Sequence, residues 1–302
     1  MKNFRSLVEK LKQYCPKLEV VENEPMSRHV TFRVGGPVSV MAVPSTIAQA
    51  AAAVRIANEE GVEPFFLGNG SNLLVPDEGL NGFVIKTVNG LNGISVDGNT
   101  ITAESGVLLS RLAVVARDHC LTGLEFAHGI PGSLGGAVTM NAGAYDGEMA
   151  QVVRSVTYLS ASGEINVTDQ FDFSYRHSSF SDGSRMILKA TMELQKGDTH
   201  AIRRRMEDLM ERRKSKQPLE WPSAGSTFKR PAGYFAAALI DQCGLKGLSV
   251  GGAQVSEKHA GFVVNKGGAT CADILELMDL VRSRVYDATG VSLEPEVKLL
   301  GR

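Results

Sequence analysis

The sequence predicts an α+β protein built as a small α/β lobe, a strand-rich lobe and a separate C-terminal compact unit. Three observations predict it. Between residues 38 and 67 an apolar stretch, a helical stretch and a second apolar stretch follow one another, the β-α-β order that favours a parallel pair. From residue 83 the pattern changes to short strands divided by Asn/Gly turns. After Lys196-Gly197-Asp198 come a polar helix and a new set of amphipathic helices.

Taken in order, residues 2–14 carry Phe4, Leu7, Val8 and Leu11 at helical spacing and break at Pro16. Residues 38–43 read as a strand. Pro44-Ser45-Thr46 then caps a helix over 47–60, which ends at Gly61. Pro64-Phe65-Phe66-Leu67 and Leu73-Leu74-Val75 read as strands on either side of a glycine turn. Short strands follow at 83–86, 93–96 and 100–103, and then a helix over 108–120 with Leu109, Leu112, Val115 and Ala116 on one face. Strands are expected at 152–159, 165–168 and 186–193. Residues 199–216 form a basic, polar helix stopped by Gln217-Pro218. A helix over 234–243 places Phe235, Leu239, Ile240 and Cys243 on one face and ends at Gly244. A longer one over 271–289 carries Ile274, Leu277, Met278, Val281 and Val285, and residues 297–300 form a last strand. The domain division expected is 1–197, in lobes of roughly 1–86 and 87–197, and 198–302.

Composition excludes several classes. The 302 residues carry a formal net charge of −1, which gives no bulk attraction to nucleic acid or anionic lipid. No apolar run approaches the ~18 residues of a membrane span. Residues 1–15 are charged throughout, unlike a signal peptide. Cys15, Cys120, Cys243 and Cys271 are far apart with no Cys-x-x-Cys pair, which points to free thiols in a reducing cytoplasm. The six histidines form no cluster with metal-ligand spacing, so no metal is expected. No apolar stripe is left over once the helices are assigned, and a monomer is the default.

The most informative turn is Gly68-Asn69-Gly70-Ser71-Asn72-Leu73. Two glycines around one Asn allow positive φ and close approach of backbone to a ligand, so that successive N–H groups can cradle a phosphate. Ser71 and Asn72 add uncharged donors. The turn lies between strands, lacks a third glycine at Leu73 and has no Gly-Lys-Ser/Thr, so neither a dinucleotide fingerprint nor a P-loop fits. Taken alone it reads as a hairpin turn rich in turn residues. A second glycine cluster, Gly129-Ile130-Pro131-Gly132-Ser133-Leu134-Gly135-Gly136-Ala137, precedes Asn141-Ala142-Gly143-Ala144-Tyr145. Two such loops suggest a large bound nucleotide. Ser226 in Gly225-Ser226-Thr227-Phe228-Lys229-Arg230 is either a turn cap or a proton donor among cations. Arg176, after Phe171, Phe173 and Tyr175, either stacks or binds a carboxylate. Glu296 sits at a strand start, where a solvated Glu is the plain reading.

Together these segments resemble the UDP-N-acetylenolpyruvoylglucosamine reductase family. Thr31-Phe32-Arg33-Val34-Gly35-Gly36, the 68–73 turn, 130–137, Tyr175-Arg176, 225–231, Ser256-Glu257-Lys258-His259-Ala260-Gly261-Phe262 and 293–297 occur in the family's order. The resemblance implies FAD, bound in the fold of vanillyl-alcohol-oxidase (PCMH-type) flavoproteins over residues 1–197, and a substrate-binding domain over 198–302. Cofactor contacts are implied for Arg33, Gly68, Asn69, Gly70, Ser71, Asn72, Leu73, Pro131, Gly132, Ser133, Gly136, Ala137, Asn141, Ala142 and Gly143. It implies reduction by NADPH of UDP-N-acetylglucosamine enolpyruvate to UDP-N-acetylmuramate for peptidoglycan. In that chemistry Arg176 stabilises enolate charge, Ser226 protonates carbon and Glu296 completes the enolate site. Tyr145, Tyr175, Lys216, Arg230 and Gln254 are implied substrate contacts. Residues 193–198 are too short for the Tyr-bearing insertion of some members, and Arg230 stands where others have Asn. Two rival readings stay open: a flavin oxidase tethering its cofactor through His128, and a non-catalytic nucleotide-sugar binder.

Overall fold

The computed structural model describes residues 4–301. Lys2 and Asn3, the start of the expected first helix, lie outside the described residues. Helix α1 (Arg5–Tyr14) buries Leu7, Val8 and Leu11, a stripe whose removal from water contributes about 1.5–3 kcal/mol per side chain. Strands β1 (Glu19–Pro25) and β2 (Pro37–Val43) follow, then α2 (Ile47–Glu59), whose first turn is capped by Thr46 Oγ1 accepting from Gln49 N at 3.2 Å. Next come β3 (Pro64–Leu67), β4 (Leu73–Leu74) and β5 (Leu80–Lys86). The first sheet has the order β1-β2-β5-β3. The β-α-β run does not give adjacent strands: β5 lies between β2 and β3, and it is β5 that pairs in parallel with β3, Pro64 opposite Phe83. Helices α1 and α2 close one core with Val40, Ala42, Phe83 and Ile85.

The second sheet is built from β6 (Ile94–Asp97), β7 (Thr100–Glu104) and later strands. Helix α3 (Leu109–Asp118) is shorter than the expected 108–120, and Ala113 takes the buried place expected of Val115. A two-residue strand β8 (Leu121–Thr122) precedes helix α4 (Leu134–Thr139), which opens inside the second glycine cluster. Then come the tight hairpin β9 (Gly143–Ala144) and β10 (Gly147–Glu148), and β11 (Val153–Leu159), β12 (Ile165–Thr168), β13 (Met186–Glu193) and β14 (Gln195–Lys196). The order β12-β11-β13-β7-β6 is antiparallel throughout. Its core includes Ile101, Leu112, Leu134, Val156 and Met192.

Helix α5 (Thr199–Lys216) has the bounds its pattern predicts. Helix α6 (Ala236–Gln242) begins later than expected, with Phe235 as N-cap residue. Phe235 is 59% exposed and is not part of the buried face. Strands β15 (Ser249–Val250), β16 (Ala253–Val255) and β17 (Val263–Asn265) form a small antiparallel sheet. Helix α7 (Cys271–Thr289) runs from a Thr270/Asp273 capping box to left-handed Gly290. Asp77 also accepts from Cys271 N at 2.7 Å and Ala272 N at 3.0 Å, satisfying two more first-turn donors. The last strand is β18 (Lys298–Leu299).

By compactness the chain divides into two units. One comprises residues 1–23, 39–69 and 81–212; the other comprises 24–38, 70–80 and 213–302. The second therefore gathers three stretches around one core that contains Phe32, Val34, Leu74, Leu239 and Ile274. It also explains why the 68–73 turn is not a hairpin: β4 does not return to β3 but pairs in parallel with β18, Leu73 opposite Lys298.

Candidate functional site

In the second unit the segment 26–36 folds back on itself. Met26 N donates to Gly36 O at 3.0 Å and Ser27 N to Gly35 O at 3.3 Å. At its tip Thr31 N donates to Gly70 O at 3.2 Å, and Arg33 N to Val30 O at 3.1 Å. Gly70, at φ +60°, has no room for a Cβ, which would overlap His29 O. Arg33 is exposed and holds φ +58°, a left-handed conformation costing a side chain about 1–2 kcal/mol. Ser71 and Asn72 are half-buried. One amide proton of Asn72 goes to Glu296 O at 3.1 Å, so Asn72 ties the turn to the C-terminal strand as well as carrying a donor. Its carbonyl accepts from Lys298 N at 3.0 Å.

The same unit sets Ser226 against Glu296. Glu296 N donates to Thr227 O at 2.8 Å and Lys229 N to Glu294 O at 2.8 Å, with Phe228 bridging Pro295. Thr227 is fully buried and fixed further: its N–H donates to Gly261 O at 2.8 Å, and its Oγ1 accepts from Val263 N at 3.0 Å. Ser226, one residue outside this anchor and after left-handed Gly225, is exposed. Lys229 pairs with Glu294, and Lys298 has its pKa lowered by desolvation and then by Lys229. Arg230 lies over the Phe235 ring at 3.9 Å from its centroid. Lys216 is the exposed last residue of α5. Gln254 Nε2 is bonded within its own hairpin, to Gly247 O at 3.3 Å and Ser249 Oγ at 3.1 Å.

In the first unit Asn69 Nδ2 donates to Pro131 O at 2.8 Å, bringing the first glycine turn onto the second cluster. A Cβ on Gly68 would overlap Ser133 Oγ, while Gly136 has open space around it apart from that hydroxyl. Ser133 is 1% exposed and its Oγ has no hydrogen-bond partner among the described residues. A buried hydroxyl without an acceptor, at the start of a helix and flanked by small residues, fits an incoming phosphate or ring oxygen. Gly132 O accepts from Leu109 N at 3.0 Å, which fixes the approach to Ser133. Not every small residue in the cluster serves such an approach. Ala137 packs its methyl into the core, Ala142 packs against it, and Gly143 is small because β10 crosses it closely.

Tyr145 and Asp146, at φ +51° and +67°, form the two-residue turn of the β9–β10 hairpin. Arg176 sits in another strained turn. Ser174 and His177 exchange backbone hydrogen bonds at 3.1 Å, leaving Tyr175 and Arg176 as the tip, with Arg176 at φ +57°. Its guanidinium lies 5.0 Å from the Tyr175 ring centroid, and Tyr175 is 53% exposed. Asn141, 2% exposed, supports that turn: its Nδ2 donates to Ser174 O at 3.2 Å, and its Oδ1 accepts from Ala150 N at 3.0 Å. Its role here is to brace the Arg176 turn, which the sequence did not suggest. Thr31 was also missed as an individual donor: its Oγ1 is buried without a partner among the described residues. A cavity of about 280 Å³ beside Val54, Asn58, Val62 and Phe66 contains none of these residues. Among the described residues no group of three His, Cys, Asp or Glu could hold a metal, and no helix is long and apolar enough to cross a membrane.

Comparison with known proteins adds an independent line. A family model described as an FAD binding domain matches residues 38–169, and one described as the C-terminal domain of UDP-N-acetylenolpyruvoylglucosamine reductase matches 217–300. The chain is 50% identical over 294 residues to UDP-N-acetylenolpyruvoylglucosamine reductase of Clostridium novyi, covering 97% of the chain and 95% of the relative. It is 48% identical over 303 residues to that of Clostridium kluyveri, covering 100% and 99%. The crystal structure of UDP-N-acetylenolpyruvylglucosamine reductase from Thermus caldophilus superposes with a TM-score of 0.80 at 35% identity, over 94% of this chain and 98% of that one. BBE-like 1 of Physcomitrella patens, 16% identical with a TM-score of 0.50, covers 63% of this chain and 44% of its own and shares the fold alone.

Proposed function

Since the chain belongs to the UDP-N-acetylenolpyruvoylglucosamine reductase family, we propose that it reduces the enolpyruvyl group of UDP-N-acetylglucosamine enolpyruvate with NADPH, giving UDP-N-acetylmuramate for peptidoglycan. It is an FAD-dependent oxidoreductase of α+β, PCMH-type fold with a C-terminal substrate-binding domain. FAD, when bound, would supply the hydride-transfer chemistry between NADPH and the enol ether.

The protein's own groups manage charge and protons. Arg33, Gly68–Leu73 and Ser133 hold the cofactor through N–H, hydroxyl and guanidinium donors. As hydride reaches the terminal carbon, electron density moves onto the pyruvyl carboxylate, and Arg176 stabilises it. Ser226 Oγ then gives its proton to the neighbouring carbon, which completes the reduction and leaves an alkoxide for solvent to reprotonate. An enolate carbon is basic enough that the serine needs no lowered pKa. Glu296 orients the carboxylate end of the substrate. Tyr145, Tyr175, Lys216 and Arg230 contact the nucleotide sugar. Gln254 does so through whatever its hairpin bonds leave available. The observation that supports this assignment most is the ladder that brings the Ser226 turn beside Glu296, because an oxidase needs no proton donor to carbon.

The test is an anaerobic titration of the purified protein. Flavin absorbance bleaches with NADPH and returns with the enolpyruvyl sugar; recovery with air alone overturns the proposal. One observation favours the oxidase reading: His128 Nδ1 is buried without a partner among the described residues, a group that could carry a tethered flavin. Acid precipitation separates the two, since FAD stays in the supernatant for a reductase and in the pellet for a tethered oxidase. We further read the protein as a cytoplasmic monomer acting on small molecules, without nucleic-acid or membrane partners, which light scattering after gel filtration checks for the monomer.

A further inference from the structure

Asn265 ends β17 and is one of few buried polar side chains in the second unit, 7% exposed. Its three hydrogen bonds fix which way the amide points. Oδ1 accepts from Gly267 N at 2.9 Å and Ala269 N at 3.2 Å, so Nδ2 is the atom left facing Phe32 O, to which it donates at 3.1 Å. Phe32 is fully buried, so this carbonyl has no water to fall back on.

The Phe32 carbonyl and the Arg33 N–H belong to one peptide plane. The N–H side of that plane is held by Val30 O at 3.1 Å, and the C=O side by Asn265. Arg33 can reach φ +58° or an ordinary negative φ by a rotation of this plane with little movement of its neighbours. Such a rotation reverses the carbonyl and the N–H together, breaks both bonds and releases the turn from its anchor on Asn265. Left to itself, a non-glycine residue prefers the negative value. With both edges of the plane bonded, only the left-handed setting keeps the two bonds.

We propose that Asn265 is a positioning residue for the cofactor, locking the turn that carries Arg33 onto the end of β17 so that the Arg33 guanidinium is held where it faces an anionic or carbonyl group of the bound dinucleotide. The proposal rests on the reading of Arg33 as a cofactor contact. The partnerless Thr31 Oγ1 in the same loop is a second donor that the lock keeps in place. No motif near Asn265 suggests the role, because the coupling runs between residues far apart in sequence.

The test uses the full chain, stripped of flavin and titrated with FAD by fluorescence quenching. Asn265→Asp keeps the acceptor oxygen for Gly267 and Ala269 but cannot donate to Phe32. We expect it to weaken FAD binding about tenfold while the fluorescence of Trp221, the single tryptophan, stays near the parent value and the unfolding midpoint falls but remains above the titration temperature. Arg33→Ala is expected to weaken FAD at least as much, and the double variant to lose little beyond Arg33→Ala alone. Unchanged FAD affinity in Asn265→Asp, or losses that multiply in the double variant, overturns the positioning role while leaving Arg33 as a contact. Unchanged affinity in Arg33→Ala overturns both. Should Asn265→Asp fail to fold, hydrogen exchange in the unaltered apoprotein decides: slow exchange at the Arg33 amide supports the lock, and exchange at the rate of an open loop overturns it.

Discussion

Arg176 and Ser226 carry the two halves of the same proposed step, yet the chain places them by opposite means. Arg176 stands at the tip of a two-residue turn in a left-handed conformation, braced from below by the buried Asn141 amide. Ser226 stands one residue off an ordinary antiparallel ladder, beside a threonine whose three backbone and side-chain bonds are all made. A charge stabiliser must point a planar fork in one direction, and a tight turn fixes direction at the cost of strain. A hydroxyl proton donor has a rotor of its own and needs only to be at the right place, which a ladder supplies without strain.

The largest effects expected from breaking this contrast are on chemistry. Ser226→Ala should accept hydride from NADPH at the normal rate but reoxidise with the enolpyruvyl sugar about 10²–10⁴-fold more slowly, as stopped-flow absorbance would show. Arg176→Gln should slow the same half-reaction about 10²–10³-fold, again sparing reduction by NADPH. Equal losses in both half-reactions would put either residue outside the proposed role.

An intermediate effect comes from the brace. Asn141→Ala takes one of two donors from Ser174 O, leaves Ala150 N without its acceptor, and should cost about 1–3 kcal/mol of stability in a denaturant titration. It should also slow sugar-dependent reoxidation, because the Arg176 turn loses its support. A normal rate in a destabilised Asn141→Ala protein would mean the turn holds its shape unaided.

The smallest effect is the most direct reading of strain. At position 176 glycine should be more stable than alanine by about 1 kcal/mol, since only alanine is penalised at φ +57°. At position 226, where φ is not left-handed, the order should reverse or vanish. Unfolding midpoints of the four variants give the answer, and activity is irrelevant to it.

Much of the frame was legible because its signals are local. The spacing of Ile274, Leu277, Met278, Val281 and Val285 marked α7, and Gln217-Pro218 ended α5. Phe235 misled because a helical periodicity cannot show that a residue precedes the first turn. Strands β8 and β14, two residues each, are too short for alternation to register, and each exists only through the other across a long stretch of chain. The same limit governs the site. Glycine turns announced themselves through composition, whereas Glu296 reads as a solvated acid until the ladder sets it beside the Ser226 turn. Asn141 was singled out only as an implied cofactor contact, and neither its bracing bonds nor those of Asn265 show in the sequence, because a buried amide acquires its meaning from carbonyls that the fold brings to it.

The parallel pairing of β4 with β18 has a consequence for how the protein is made. Lys298 and Leu299 follow Leu73 and Leu74 far along the chain, so the outgoing side of the glycine turn stays unpartnered until that distant segment is made. A nascent chain can assemble its two early sheets on the ribosome. Phe32, Val34 and Leu74, however, must wait for the late helices to cover them. Closing this core is therefore a long-range event, and the glycine turn gains its outgoing partner only when that long loop has closed.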